Sequence, residues 1–399
     1  MPHLAIAAMM SDTMIDTTEF DVIIVGAGII GCACAASLSA NGLAVCVIEP
    51  NTIGGGATAA GMGHLVVMDD NPTELALSSY SLELWRNMLG QDPQRHRAHE
   101  YSQCGTIWVA ADEEEMHAAT AKQRLLQEHG ISCEILNQAQ LYRLEPELRT
   151  GLAGGLLVHQ DGLVYPPKSA ECLLERAIQA GAQICQAKVT ALQDGAVMLD
   201  DGRSVRGREI VVANGIAAMS LIDDLPLRYK KGHLLITDRY PNFIQHQLVE
   251  LAYIKNAHAS DGDSVAFNLQ PRPTGQVFIG SSRQFDVQHK EIDIGILSKM
   301  LRQATSYVPA LSQLRAIRTW TGFRAATPDG LPYIGAHPNR PHVWVATGHE
   351  GLGITTSLAT AEILTNQICG EASKIPIQPY WPDRMLPKLT ALTSQSNSR

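Results

Sequence analysis

Long basic runs, paired cysteines and alternating basic and aromatic residues are all missing from this 399-residue sequence. Its 40 Asp and Glu outnumber its 31 Lys and Arg, which gives a formal net charge of -9 at pH 7. Nucleic acids and anionic membrane surfaces bind positive faces, so this balance argues against both as partners. A small anionic substrate would need a local cation.

The eight cysteines form no C-x-x-C pair, and their spacing fits no metal site. We therefore expect reduced cysteines, no metal and a cytoplasmic protein, which would reach the inner membrane only through partners. Residues 1–19 contain no Lys or Arg, so we interpret them as a tail and not as a signal peptide.

An uncharged stretch, residues 22–38, could pass for a short membrane span. It falls short of the roughly twenty residues that a bilayer requires, and it is rich in Gly and Ala where a span would be rich in Leu. No transmembrane segment is therefore expected. The total length exceeds what one compact core usually supports and suggests two domains.

The most informative stretch covers residues 20–50. An apolar, β-branched run at 22–25 predicts a strand buried on both faces, and it leads directly into the motif GAGIIG. A small-residue helix over 29–40 follows, and a second strand, 43–48, ends at the carboxylate of Glu49. The order strand, helix, strand and acid predicts an adenine-dinucleotide site.

Each residue of this motif has a physical role. Gly26 permits the tight turn, and Gly28 lets the backbone approach a pyrophosphate at the helix N-terminus. Gly31 allows close packing of helix on strand. Glu49 can accept hydrogen bonds from both ribose hydroxyls.

Three further glycine-rich segments extend the predicted site. Residues 54–61 are a flexible loop or the place where the diphosphate passes, with Thr58 as a donor. Strand 209–213 ends in Asn-Gly, which allows close approach of a cofactor. The turn 348–353 opens a helix and predicts an anion site, which would suit negative charge on a reduced flavin.

Periodicity gives a coarse outline of the remaining chain. Residues 91–102 are polar and are interpreted as surface. Short connections between strands over 229–285 favour antiparallel pairing. Helices are predicted over 69–88, 113–128, 167–180 and 291–307, and a loop over 322–330.

Five motifs in this order resemble the D-amino-acid oxidase superfamily of FAD enzymes, especially glycine oxidases, D-amino-acid dehydrogenases and sarcosine oxidases. They are VGAGIIG with Glu49, GATAAGM, VVANG, GFRAATPDGLPYIG and GHEGLGITTSLATAEIL, and the resemblance covers about residues 20–382. The phrases KGHLLITD and IGSSRQF look most like the flavin subunits of D-hydroxyproline dehydrogenase, opine oxidase and hydrogen cyanide synthase.

The resemblance implies an α/β fold, with a Rossmann-like FAD-binding domain built from separated segments and an α+β substrate domain with an antiparallel sheet. The implied divisions are FAD-binding segments 20–90, 151–225 and 320–385, substrate-domain segments 91–150 and 226–319, and tails 1–19 and 386–399. Sarcosine oxidases attach flavin through a cysteine before TPD, whereas this chain has GFRAA there. We therefore expect non-covalent FAD.

The implied reaction moves the α-hydrogen of a small amino or imino acid, as hydride, to flavin N5. The substrate would be a D-amino acid, a D-hydroxyproline-like compound or an N-substituted glycine, and the electrons would pass to partner subunits or a respiratory acceptor. One alternative is a self-sufficient oxidase that reduces oxygen to hydrogen peroxide. Another is a non-catalytic flavin-fold scaffold within a hetero-oligomer.

The resemblance also suggests site residues. Arg324 stands where glycine oxidases bind the substrate carboxylate, although an arginine in a loop is more often a solvated charge. His233 and Asn268 are weaker candidates for substrate contact, and glycine oxidases have a substrate-contacting tyrosine about where Asn268 stands. His349 touches flavin or simply packs. The predicted cofactor site comprises Gly26, Gly28, Ile30, Gly31, Glu49, Pro50, Gly56, Ala57, Thr58, Ala60, Gly61, Met62, Val189, Ala213, Asn214, Gly215, Gly322, Arg324, Gly348, His349, Glu350, Gly351, Leu352, Gly353, Ile354 and Thr355.

Overall fold

The computed structural model of this chain describes residues 19–68, 71–251 and 262–386. Its helices are α1 (Ile29–Ala40), α2 (Pro72–Leu89), α3 (Pro93–His99), α4 (Glu113–Glu128), α5 (Gln138–Leu144), α6 (Pro166–Gln179), α7 (Ile294–Tyr307) and α8 (Gly353–Cys369). The predicted tails 1–19 and 386–399 lie outside the described residues except for Glu19 and Leu386.

Eighteen strands in these ranges form two large sheets and one small one. They are β1 (Phe20–Val25), β2 (Val45–Ile48), β3 (His64–Leu65), β4 (Thr106–Ala110), β5 (Cys133–Asn137), β6 (Gly154–Val158), β7 (Gly162–Leu163), β8 (Gln183–Cys185), β9 (Val189–Gln193), β10 (Ala196–Leu199), β11 (Ser204–Val212), β12 (Arg228–Thr237), β13 (Gln247–Glu250), β14 (Ser264–Pro271), β15 (Val277–Phe285), β16 (Ala316–Ala326), β17 (Tyr333–Ala336) and β18 (Val343–Thr347).

β1 lies at the centre of the first sheet, whose order is β17-β18-β11-β1-β2-β8. It pairs in parallel with both β2 and β11. Val22 and Ile24 belong to one apolar cluster, and Ile23 and Val25 belong to another. Apolar layers therefore cover this strand on both faces, as its unbroken hydrophobic run predicts.

Helix α1 packs against α6 and α8. This contact explains why its sequence carries no charge, since neighbouring helices bury most of its surface. No helix in the described part of the chain is long and apolar enough to cross a membrane.

The second sheet has the order β16-β12-β15-β14-β13-β4-β6-β5. All its pairings are antiparallel except the parallel pair β13 and β4. α7 covers one face, where Tyr307 stacks on Phe267 with ring centroids 4.3 Å apart. The predicted α/β fold, with a dinucleotide-type sheet and a largely antiparallel sheet, is confirmed.

Three elements differ from the sequence-based outline. Residues 322–326, predicted as a loop, are the end of β16, because they pair with β12 in the register Gly232↔Gly322 to Arg228↔Ala326. Within the polar stretch 91–102, α3 begins at Pro93 behind an Asp92 cap. The strand β5 had no counterpart in the prediction.

Sheet membership also bears on the predicted domain boundaries. The boundaries at 151 and 320 assign β6 and most of β16 to the FAD-binding segments, yet both strands lie in the second sheet. The division into domains stays a prediction, because sheet membership alone does not define a domain boundary. The strand-like sequence 248–255 is described only as far as Leu251.

All eight cysteines lie within the described ranges, and none forms a disulfide. Within these ranges, no group of three or more His, Cys, Asp or Glu side chains could hold a metal ion.

Candidate cofactor and substrate site

A cavity of about 910 Å³ is lined by loops of the first sheet, by the start of α8 and by four strands of the second sheet. Most of the residues predicted from the sequence line it. They are Gly26, Gly28, Ile30, Glu49, Pro50, Gly56, Ala57, Thr58, Ala60, Gly61, Met62, Val189, Ala213, Asn214, Gly215, Asn268, Gly322, Arg324, Gly348, His349, Glu350, Gly351, Leu352, Gly353 and Ile354.

The turn between β1 and α1 depends on two glycines. Gly26 has a φ of +104°, and a Cβ there would lie 2.8 Å from the Cα of Asn214. Gly31 is not a lining residue, and a Cβ on it would lie 1.9 Å from the carbonyl oxygen of Gly26. Gly26 therefore fits the backbone around the cavity, whereas Gly31 packs helix on strand behind it.

Two helices, α1 and α8, begin at the cavity, and neither N-cap residue provides a side-chain cap. At α1 the Ile29 N–H donates to Thr58 Oγ1 over 3.0 Å. Thr58 is buried, and its hydroxyl hydrogen remains available as a donor after Oγ1 accepts this bond. Uncapped helix N-termini concentrate N–H groups and positive dipole charge, which suit phosphate or another anion.

Glu49 closes the same turn from β2. Its Oε2 accepts from the Ala27 N–H over 2.9 Å, and its Oε1 accepts from the Asn51 N–H over 3.0 Å. A carboxylate offers about four acceptor positions, so each oxygen can accept one more bond from a ribose hydroxyl. The backbone bonds hold the carboxylate at the cavity wall.

Asn214 supplies an independent sign that a ligand belongs here. Its Oδ1 is buried and has no hydrogen-bond partner among the described residues. Buried acceptors are normally satisfied, and this one lines the cavity beside the Gly26 turn. An adenine dinucleotide such as FAD fits these residues, with hydroxyl and amine donors for Glu49 and Asn214 and a diphosphate for the helix N-termini.

A charged group lies on the second-sheet side of the cavity. Arg324 of β16 is the register partner of Lys230 on β12, and its Nη1 donates to the Ser282 carbonyl over 3.2 Å. Lys230 pairs with Glu350, which precedes α8. Burial alone would raise the pKa of Glu350, but Lys230, Arg283 and Arg324 outweigh burial and hold that pKa below its usual value. Glu350 therefore remains ionised at neutral pH.

A neutral polar pair lies close to this group. His64 Nε2 is 3.3 Å from Asn268 Oδ1. Burial and, to a smaller extent, the Arg324 charge together lower the pKa of His64 to about 4, although the Asn268 bond opposes both effects. His64 is therefore neutral at pH 7.

His349 lines the cavity, and its Nε2 lies 2.9 Å from Thr360 Oγ1. Burial lowers its pKa to about 3. His349 therefore packs against α8 and lines the cavity as a neutral ring, and its contact with flavin stays a prediction.

Besides Gly31, two predicted residues, His233 and Thr355, lie away from the cavity lining. His233 is buried, with Nδ1 3.0 Å from Ser282 Oγ and Nε2 accepting from the Asp293 N–H over 3.0 Å. It therefore joins β12 to β15 and to the start of α7. Thr355 Oγ1 donates to the His64 carbonyl over 2.9 Å and so anchors β3 to α8.

The sequence-based list omits several polar lining residues. Each of them is a single polar residue in a strand or a short loop and forms no recognisable motif. His64, however, follows the predicted cofactor loop by only a few positions. The omitted residues include His64, Lys188, Asp200, Ser281, Arg283 and Lys290.

Comparison with known proteins extends these observations to a family. The chain is 26% identical over 388 residues to the glycine oxidase of Geobacillus kaustophilus, covering 94% of this chain and 99% of that protein. It is 25% identical to the hydrogen cyanide synthase subunit HcnC of Pseudomonas aeruginosa over an alignment of 427 positions, which covers 94% of this chain and 98% of that protein.

The crystal structure of glycine oxidase from Geobacillus kaustophilus has the same fold. It superimposes with a TM-score of 0.81 at 24% identity and covers 92% of this chain and 99% of that one. The family described as FAD dependent oxidoreductase, abbreviated DAO, matches residues 21–367. The chain therefore belongs to this family of FAD-dependent oxidoreductases, whose cofactor the cavity residues fit.

Proposed function

We propose that this protein oxidises a small amino or imino acid whose carboxylate is bound by Arg324. FAD, when bound, would supply the redox chemistry as the acceptor of the substrate's α-hydrogen, while Arg324 would hold the substrate in place. The substrate class is a D-amino acid, a D-hydroxyproline-like compound or an N-substituted glycine. The similarity to glycine oxidases supports an amino-acid substrate.

The observation that carries this proposal is the position of Arg324. It is half-buried on β16 at the cavity wall, and the Ser282 carbonyl of β15, across the intervening strand β12, accepts one of its N–H groups. A guanidinium presents five donors in a planar fork, which matches the two oxygens of a carboxylate. An arginine held in this way on a strand differs from a solvated loop charge.

The other residues prepare the site for that ligand. The Lys230 and Glu350 pair keeps two opposite charges together beside Arg324, so one of the neighbouring cations is already neutralised. Filling the cavity with cofactor and substrate excludes water and strengthens the bond between Arg324 and the carboxylate. The chain thus orients the α-carbon, while the cofactor performs the redox step.

We propose further that the electrons leave through partner subunits of a hetero-oligomeric dehydrogenase. The similarity to a protein named as a hydrogen cyanide synthase subunit supports this acceptor. A partner would also be the route by which this chain reaches the inner membrane. The second candidate is an oxidase that reduces oxygen to hydrogen peroxide, which the glycine oxidase relatives favour.

Anaerobic mixing of the FAD-loaded protein with a substrate panel tests the proposal. The panel contains D- and L-amino acids, sarcosine and proline derivatives, with the matching α-hydroxy acids as controls. We expect at least one amino or imino acid to bleach the flavin and its hydroxy analogue to leave it oxidised. Stopped-flow mixing of the reduced protein with oxygen then separates the acceptors, since fast reoxidation supports the oxidase. A flavin that dithionite reduces but no panel member does would instead support the non-catalytic scaffold.

A further inference from the structure

His64 lies where the cofactor half of the cavity meets the substrate half. Its backbone belongs to the cofactor side, because β3 pairs with β7 and the Thr355 hydroxyl of α8 donates to the His64 carbonyl over 2.9 Å. The Val66 N–H donates to the same hydroxyl oxygen over 3.3 Å. The position of this residue is therefore fixed by the first turn of α8.

The imidazole ring is fixed from the opposite side. Asn268 is a buried residue of β14 in the second sheet, and its Oδ1 lies 3.3 Å from His64 Nε2. An amide oxygen can only accept a hydrogen bond, so this contact places the proton on Nε2. The neutral ring then has a lone pair on Nδ1 and acts there as an acceptor.

The charge of the ring fits the same role. Burial and the nearby Arg324 guanidinium together lower the pKa of His64 to about 4. A neutral acceptor and a cation therefore stand together at the cavity wall. An amino acid presents the complementary pair, an N–H donor and a carboxylate on adjacent atoms.

We propose that His64 binds the amino group of the substrate, its Nδ1 accepting a hydrogen bond from an amine N–H while Arg324 holds the carboxylate. This inference rests on the proposed function and specifies which nitrogen compounds the site takes. Primary and secondary amines satisfy His64 in their neutral form, because they retain an N–H. A neutral tertiary amine leaves Nδ1 unsatisfied, so N,N-dialkyl amino acids bind poorly once their amino group is deprotonated.

Two unreactive probes separate the two contacts. 2-Aminoisobutyrate carries an amino group and a carboxylate but has no α-hydrogen, and isobutyrate has nearly the same shape without nitrogen. Binding of each probe to the FAD-loaded protein is measured from the change in the visible flavin spectrum. The wild-type protein should bind 2-aminoisobutyrate about ten- to a hundredfold more tightly than isobutyrate, as expected for a hydrogen bond with one charged partner.

Variants assign each contact to its residue. His64→Leu should remove most of the difference between the probes, whereas Arg324→Ala should weaken both. His64→Gln keeps an acceptor and should restore part of the difference. Asn268→Ala, which frees the ring without removing it, should lower the affinity for 2-aminoisobutyrate alone. FAD content and the urea unfolding midpoint show whether each variant is folded and loaded.

The outcomes distinguish this inference from the proposed function. If a folded His64→Leu protein, or Asn268→Ala where His64→Leu does not fold, keeps the full preference for 2-aminoisobutyrate, His64 does not bind the amine. That result leaves the carboxylate contact intact if Arg324→Ala still weakens both probes. A wild-type protein that binds both probes equally overturns the amine contact, and one that binds neither overturns the carboxylate contact as well.

Discussion

Replacement of Arg324 tests how the site recognises its substrate. Arg324→Ala removes the planar fork while the Lys230 and Glu350 pair remains in place. A substrate carboxylate then enters a water-poor cavity without its partner, which costs roughly 2 to 5 kcal/mol. At about 1.4 kcal/mol per factor of ten, the rate constant for flavin reduction at low substrate should fall on the order of thirtyfold to several thousandfold.

The matched variants refine this expectation. Arg324→Lys should recover only part of the loss, because an ammonium group cannot bind two carboxylate oxygens with the same geometry. Arg318→Ala removes the same charge from the same strand, but Arg318 is exposed and outside the cavity lining, so its effect should be small.

Anaerobic stopped-flow reduction over a range of substrate concentrations measures the effect, with the visible spectrum as the control for FAD content. If Arg324→Ala is fully loaded and is reduced as efficiently as the wild type, the carboxylate binds elsewhere and the proposed orientation of the substrate is wrong.

Three further predictions concern the cofactor and the fold. Acid precipitation should release intact FAD into the supernatant, since no cysteine is among the described lining residues; flavin retained on the pellet contradicts this. Glu49→Ala should weaken FAD binding at least tenfold by equilibrium titration, because it removes a charged acceptor at about 1.5 to 3 kcal/mol per bond, and Glu49→Gln should lose less. Equal affinity in all three proteins would remove Glu49 from the site. Lowering the pH should destabilise the protein, because the folded-state pKa of His349, about 3, and that of His99, about 4, lie below the value of 6.5 for an unfolded histidine. The contribution of these two histidines to the free energy of unfolding is complete well above pH 6.5 and is lost as the pH falls. The loss is about 2 kcal/mol for each histidine between pH 6.5 and 5. Urea unfolding at several pH values measures it, and His99→Gln should show a smaller loss than the wild type.

The cavity residues on the first-sheet side could be predicted because their signals are local. The GAGIIG turn and Glu49 lie within one strand-helix-strand unit, and each residue has a requirement that few residue types meet. The structure adds what spacing could not show, namely that Glu49 also accepts the backbone N–H groups of Ala27 and Asn51.

The polar groups on the second-sheet side of the cavity were less accessible to sequence reasoning, because their contacts join distant segments. His64 and Asn268 are 204 positions apart, and Lys230 and Glu350 are 120 positions apart. Neither pair forms a motif. The end of β16 was misread as a loop for the same reason, since its pairing with β12 outweighs the local turn signal of the following proline and glycine.

The central claim is that the α-hydrogen of an amino or imino acid passes to the bound cofactor. A single anaerobic turnover, with equal amounts of FAD-loaded protein and the best substrate of the panel, tests it most directly when the substrate is compared with its α-deuterated form. The account predicts one imino or oxo acid formed per flavin reduced and slower reduction by the deuterated compound. Flavin reduction without oxidation of the α-carbon, or a flavin that dithionite reduces and no amino or imino acid does, would contradict it.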